Sequence, residues 1–155
     1  MTNNINIVSL KDFPDYRGPL IEYVKINWET VSVPFIKVVE EVFREFKPFP
    51  KCYLMLKNGK IIGFYQLVAR ELVDRKDLTP WITCVFIDER ERGHHLSSKL
   101  LKHGRKVAGK MGYPKVYLTT DHIRLYEKFG FKEIGLGKFI SGRPTKIYEH
   151  SSIRL

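Results

Sequence analysis

The sequence predicts a mixed α/β fold, and three observations predict it. Apolar residues follow two periods along the chain, strand-like alternation and helix-like spacing, in the order β-α-α-β-β-β-α-β-α-β-β, which makes seven strands and four helices. Asn58-Gly59 stands between two runs rich in β-formers, the pair that best tolerates the positive φ angles of a tight hairpin. "WITCVFI" (81–87) is apolar on both faces, as a central strand requires. At 155 residues the chain suits a single domain over 1–155, burying about two thirds of its unfolded surface.

The elements follow in order. "NINIVSL" (4–10) alternates as a first strand. "DYRGPLIEYVKINW" (15–28) and "VPFIKVVEEVFREF" (33–46) read as helices; in the second, Phe35, Val38, Val39, Val42, Phe43 and Phe46 recur at spacings of three and four. Pro48 and Pro50 cannot continue it. The hairpin occupies "KCYLMLKNGKIIGFYQLVAREL" (51–72), and a polar loop, "VDRKDLTP", leads to the central strand. From His95 to Met111, Leu96, Leu100, Val107, Ala108 and Met111 form one stripe, with Lys99, Lys102, Lys106 and Lys110 elsewhere on the cylinder. Gly112 and Pro114 end that helix. "KVYLTT" is a further strand, followed by a short helix with Asp121 as N-cap and Gly130 at C′. "FKEIGLGKFI" and "TKIYEH" close the sheet.

Composition narrows the class. With 43% hydrophobic and 13% aromatic residues the chain has material for an ordinary core. No run of 18 or more apolar residues offers a membrane span, and "MTNNINIVSL" lacks the basic and apolar regions of a secretory signal. Cys52 and Cys84 alone make no disulfide framework, so the expectation is a reducing cytoplasm without a membrane partner. The net charge of +10 is uneven: residues 1–45 carry five basic and seven acidic side chains, net −2, leaving +12 for the remainder. Residues 92–120 hold seven Lys/Arg and no Asp or Glu. That run is either a solvated helix face or the field of a polyanionic ligand's site.

The stretch "RGHHLSSKLL" (92–101) opens the basic helix after a glycine turn. A helix start offers unpaired N–H groups and the positive end of the dipole, which suit a phosphate. Gly93 lets the backbone approach a ligand, and Ser97 and Ser98 add hydroxyls in the first turn. Adjacent His94 and His95 diverge by about 100° on a helix and have no Cys or third His at ligand spacing, so no metal is expected. One of them as a general base stays open; the favoured reading is a pair of turn residues beside a phosphate.

"VFIDERERGHHLSSKLL" together with "HIRLYEKFGFKEIG" resembles the GCN5-related N-acetyltransferase (GNAT) superfamily, over about residues 50 to 137. The resemblance implies a mostly antiparallel sheet whose fourth and fifth strands splay around acetyl-CoA. Its pyrophosphate motif, Arg/Gln-x-x-Gly-x-Gly/Ala, maps Arg92 to the first position, His95 to the glycine and Ser97 to the small residue, with Gly93 in the common "RG" start. The cofactor set it implies is Val85, Phe86 and Ile87, which would pair with pantetheine like an added strand, then Arg92, Gly93, His94, His95, Leu96, Ser97 and Ser98 around the pyrophosphate. Lys128, Lys99 and Arg124 are candidates near the 3′-phosphate. A histidine at the glycine position is a departure from the pattern. "LYEKFGF" is similar to the family's "YEKxGF", which makes Tyr126 the general acid. A phenol of pKa about 10 stays protonated near neutrality and donates to a departing thiolate of pKa about 8.5. Without the resemblance, Tyr126 reads equally as a core aromatic beside Leu125 and Phe129.

An amine acceptor arrives protonated and needs a base. Asp121, just past the fifth strand, is the first candidate, although it reads as well as an N-cap; Glu29, Glu71 and Asp88 are others. Cys84, within an apolar strand, is expected to be inert packing rather than a nucleophile. The family's acceptor pocket lies largely under the first two helices, here the acidic part of the chain, so Glu22, Trp28 and Glu29 are the expected substrate contacts, with Trp28 offering its face to an ammonium group. The expected activity is direct transfer from acetyl-CoA to a small cationic primary amine in a ternary complex. Two rivals stand: a catalytically weak CoA-binding regulatory domain, and a basic nucleic-acid binder. The second is disfavoured because the only aromatics in 92–120 are Tyr113 and Tyr117. A homodimer is left open.

Overall fold

The computed structural model of the chain describes residues 4–44, 47–120 and 126–154. Seven strands form one sheet: β1 (Ile5–Ser9), β2 (Lys51–Lys57), β3 (Lys60–Val68), β4 (Trp81–Ile87), β5 (Lys115–Thr120), β6 (Lys132–Lys138) and β7 (Pro144–Ser151), in the order β1-β2-β3-β4-β5-β7-β6. Helices α1 (Arg17–Asn27), α2 (Glu29–Val42) and α3 (Leu96–Lys110) complete the described elements, with three 3-10 turns. The β1–β2, β2–β3, β5–β7 and β6–β7 pairs are antiparallel, and β4–β5 is parallel with Trp81 opposite Tyr117. The chain divides into two compact units, Met1–Leu67 with Cys84–Leu100, and Val68–Thr83 with Leu101–Leu155.

In the first unit the hairpin turns at Asn58 (φ 52°) and Gly59 (φ 83°), the two positive angles that its sequence predicts. The core gathers Leu20 and Val24 of α1, Phe35, Val39 and Val42 of α2, and Leu54 and Phe64 of the sheet. Trp28 closes α1 and opens α2 at φ −149°, so one residue separates the helices. The second helix therefore starts four residues before the predicted Val33 and stops at Val42. Pro34 sits inside it, where only one intrahelical donor is missing. Phe46 lies outside the described residues.

In the second unit α3 ends in a C-terminal cap, with Gly112 at φ 91° and the Tyr113 N–H donating to the Ala108 carbonyl at 3.0 Å. The closing segment runs along α3, where a Cβ on Gly109 would meet the Ile153 carbonyl oxygen at 2.0 Å. The predicted fourth helix is corrected. Its described part is a 3-10 turn, Tyr126–Phe129, which stops at Gly130 (φ 87°) where the sequence places the stop. Asp121, its expected N-cap, lies outside the described residues, as do Arg124 and Leu125.

Candidate functional site

A central strand apolar on both faces is expected to be covered on both. Instead Cys84, Val85 and Phe86 of β4 are only half-buried. Cys84 adopts φ 54°, an angle uncommon for a residue with a side chain, which breaks the regular pleat inside the strand. Gly63 of β3 meets this strand so closely that a Cβ would stand 2.7 Å from the Phe86 carbonyl oxygen. The Phe86 ring stacks on Phe64 (5.2 Å, 12°) and on Trp28 (5.3 Å, 28°), while Tyr23 meets both phenylalanines edge-on. One face of Trp28 is therefore occupied by Phe86. Glu22 and Glu29 are exposed on α1 and α2.

Beyond Ile87 the chain turns at Asp88, which is 4% exposed. Its Oδ1 accepts from the Arg90 backbone N–H (2.9 Å) and Nε (3.1 Å), and its Oδ2 accepts from an Arg90 terminal nitrogen (3.3 Å) and the Tyr23 hydroxyl (2.5 Å). The Arg90 guanidinium holds the carboxyl well below the usual carboxylate range, with help from Tyr23. Burial and then the Asp88 carboxylate push the Tyr23 phenol well above its ordinary value. Asp88 is thus a saturated acceptor and a poor base, which removes it from the candidates for taking the amine proton. Glu71 uses a carboxylate oxygen on the Leu72 N–H at 3.0 Å.

The residues expected around a phosphate follow at once. Arg92 donates its Nε to the Ile87 carbonyl (3.0 Å) and lays its guanidinium over Phe86 at 5.4 Å. Gly93 (φ 91°) and His95 (φ 56°) both adopt left-handed angles, and nothing lies within 4 Å of a Cβ built on Gly93. That explains the glycine in the family's motif at the position His95 fills: the backbone there is left-handed, and His is among the side chains that tolerate it. Among the described residues no acceptor meets the N–H groups of Gly93 to Ser97, so α3 begins with a row of open donors. Ser98 turns back on its own chain, its hydroxyl donating to the His95 carbonyl at 2.7 Å. Leu96 buries its side chain, whereas His94 and His95 are exposed. Among the described residues no cluster of three His, Cys, Asp or Glu stands ready for a metal.

In the second unit Tyr126 starts the 3-10 turn, half-buried, with its ring edge-on to Phe131 at 6.2 Å. Burial raises its pKa above the ordinary value. Among the described residues nothing accepts from its hydroxyl, so the proton is held but unspent. Gly130 is required twice over: by its left-handed angle, and because a Cβ would meet the His150 Nε2 at 2.5 Å. Lys128 is exposed on this turn, and Lys99 on α3. Sequence reasoning missed Tyr23, since nothing in its neighbourhood signals a partner 65 residues away.

A parallel β4–β5 pair in a mostly antiparallel sheet, with a broken central strand feeding a helix that starts on open amides, is the architecture of the GNAT fold. The acetyltransferase (GNAT) family model matches residues 20–131, and the chain belongs to this family. The spermine/spermidine N(1)-acetyltransferase of Bacillus subtilis (strain 168) is 29% identical over 140 residues, covering 83% of this chain and 88% of the relative. Among solved structures, the aminoglycoside 6′-N-acetyltransferase from Enterococcus faecium superposes with a TM-score of 0.73 at 16% identity, covering 97% of this chain and 98% of that one. A GNAT family N-acetyltransferase from Escherichia coli in complex with CoA gives a TM-score of 0.73 at 18% identity, covering 99% and 84%. The chain is an N-acetyltransferase of that fold, and no described helix is long and apolar enough to cross a membrane.

Proposed function

We propose that the protein moves an acetyl group from acetyl-CoA directly to a small cationic primary amine, in a ternary complex. The observation that carries this is the row of open N–H groups from Gly93 to Ser97 at the start of α3. Such a row, with the helix dipole behind it, fits a pyrophosphate. The half-buried Val85 and Phe86 and the buried Ile87 end the strand that would pair with the pantetheine arm, and the exposed Lys99 and Lys128 are the cations offered to a terminal phosphate.

When bound, acetyl-CoA supplies an activated thioester. The chain's own residues do the rest. The amides of 93–97 and the Arg92 guanidinium hold the donor's anionic end. Tyr126 keeps its proton at Oη through neutral pH, since burial raises its pKa, and gives it to the sulfur that departs. The base that frees the amine is assigned to Asp121. Glu22, Trp28 and Glu29 supply acidic and aromatic contacts for the acceptor. The net −2 of residues 1–45 within a +10 chain favours a cation on that side. Similarity to a spermine/spermidine acetyltransferase, and the fold shared with aminoglycoside acetyltransferases, points the same way.

The test is thermal unfolding with and without saturating acetyl-CoA, followed by a panel of polyamines, aminoglycosides and neutral amines. Ligand at 100 times its dissociation constant adds about 2.7 kcal/mol. An unmoved Tm rejects the cofactor, and equal rates for neutral and cationic amines reject the acceptor class.

A further inference from the structure

Asp88 and Tyr23 have no place in that mechanism, yet they make the densest polar cluster beside the cofactor turn. The Asp88 backbone N–H is tied to the Ile62 carbonyl at 2.7 Å, its carbonyl accepts from the Glu91 N–H at 2.8 Å, and its carboxylate takes four donors. Three residues on, Glu91 is gripped by Lys57 through both oxygens, at 2.8 and 3.2 Å. Three residues of turn, Glu89–Glu91, are thereby pinned before Arg92 is reached.

We propose that Asp88 and Tyr23 are positioning residues for acetyl-CoA: Tyr23, on α1, latches the Asp88 turn and so fixes where the amides of Gly93–Ser97 stand. The inference rests on the reading of those amides as the pyrophosphate site. Three features support it.

The Tyr23 hydroxyl is not needed to dock α1, because Leu20 and Val24 are completely buried and already anchor that helix. Arg90 cannot hold the turn alone. Its side chain is 86% exposed, and ion pairs to exposed partners contribute little. The Tyr23 hydroxyl, by contrast, reaches a buried carboxylate from a second element, where a charge-assisted bond counts for more. Finally, the cluster lines a cavity of about 770 Å³ together with Tyr16, Pro19, Ile61 and Ile62. Open space on that flank means that packing does not fix the turn, and the hydrogen bonds must.

The experiment compares Tyr23→Phe, Asp88→Asn and Arg90→Ala with the wild type, reading acetyl-CoA Kd by calorimetry, kcat at saturating acetyl-CoA, and amide hydrogen exchange of residues 89–98 in the ligand-free protein. Tyr23→Phe keeps the ring contacts with Phe64 and Phe86. It is expected to raise the acetyl-CoA Kd about five- to tenfold, leave kcat within twofold, and speed exchange in 89–98. Asp88→Asn should do the same, and the double variant should be no worse than the worse single, as partners in one bond require. Arg90→Ala should stay within about twofold. A Tyr23→Phe protein with wild-type Kd and wild-type exchange overturns the latch, and so does a loss confined to kcat. If the wild type itself fails to bind acetyl-CoA, the reading of the amides has failed first, and faster exchange in Tyr23→Phe alone would not rescue the inference.

Discussion

Two tyrosines, one in each compact unit, carry raised pKa values for different reasons. Tyr23 is raised by burial and by the carboxylate that accepts its proton. Tyr126 is raised by burial alone, and among the described residues its hydroxyl donates to nothing. A phenol whose hydrogen bond is already made holds structure; one that keeps its proton without a partner is equipped to give it away. Environment, more than residue type, separates the latch proposed for Tyr23 from the acid proposed for Tyr126.

The largest effect should come from breaking the second of these. Tyr126→Phe removes the proposed acid while sparing the ring's contact with Phe131, and kcat should fall by about 10²–10⁴, the range of general acid–base groups. Acetyl-CoA Kd should stay within twofold, the reverse of the pattern expected for Tyr23→Phe. The sign of the pH dependence follows from the same shift. An acid with a raised pKa is lost only as pH rises through that value, so Tyr126 should impose no alkaline limb on kcat below about pH 10. Steady-state rates with the leading amine, from pH 6 to 10, check both statements, and unchanged turnover would make Tyr126 a packing residue.

A smaller effect is expected where the two charge regions meet the acceptor. Glu22→Gln and Glu29→Gln should each lower kcat/KM for cationic amines by a few-fold and leave neutral amines unaffected. The wild-type preference should shrink as ionic strength rises from 0.01 to 0.15 M, because these carboxylates are exposed and screened. A preference indifferent to salt would separate the acidic helices from acceptor choice.

Much of this was legible in the sequence, and the exceptions have physical causes. The hairpin announced itself because Asn58-Gly59 is a local signal read by local angles. β4 was placed correctly by its apolar run. Its half-buried middle was not, since no pattern of side chains reveals a left-handed Cys84 within the strand. The second helix was expected four residues late, over 33–46 rather than Glu29–Val42, and its Pro34 is tolerated because one missing donor costs little in a helix packed through Phe35, Val39 and Val42. Around the site, the motif fixed which residues carry the open amides. The Tyr23–Asp88 bond joins positions 65 apart, and such a pairing is a property of the folded chain alone.

The smallest predicted effect concerns His95, a side chain that on this reading neither latches nor reacts. Its backbone is at φ 56°, where a residue with a Cβ is strained by roughly 1 kcal/mol and a glycine is not. His95→Gly relieves that strain but loosens the unfolded chain by about 0.4–1 kcal/mol, so the two terms nearly cancel. The Tm should move by no more than about 2–4 °C. His95→Val tests the same angle from the other side. A β-branched residue is a true outlier there, and its Tm should fall below that of His95→Gly by a few degrees. If main-chain amides hold the pyrophosphate, both variants should keep the acetyl-CoA Kd within about threefold. A tenfold weaker Kd in His95→Gly, with stability unchanged, would instead make the imidazole a direct ligand. The histidine in the glycine's place would then be a gain in binding rather than a tolerated substitution.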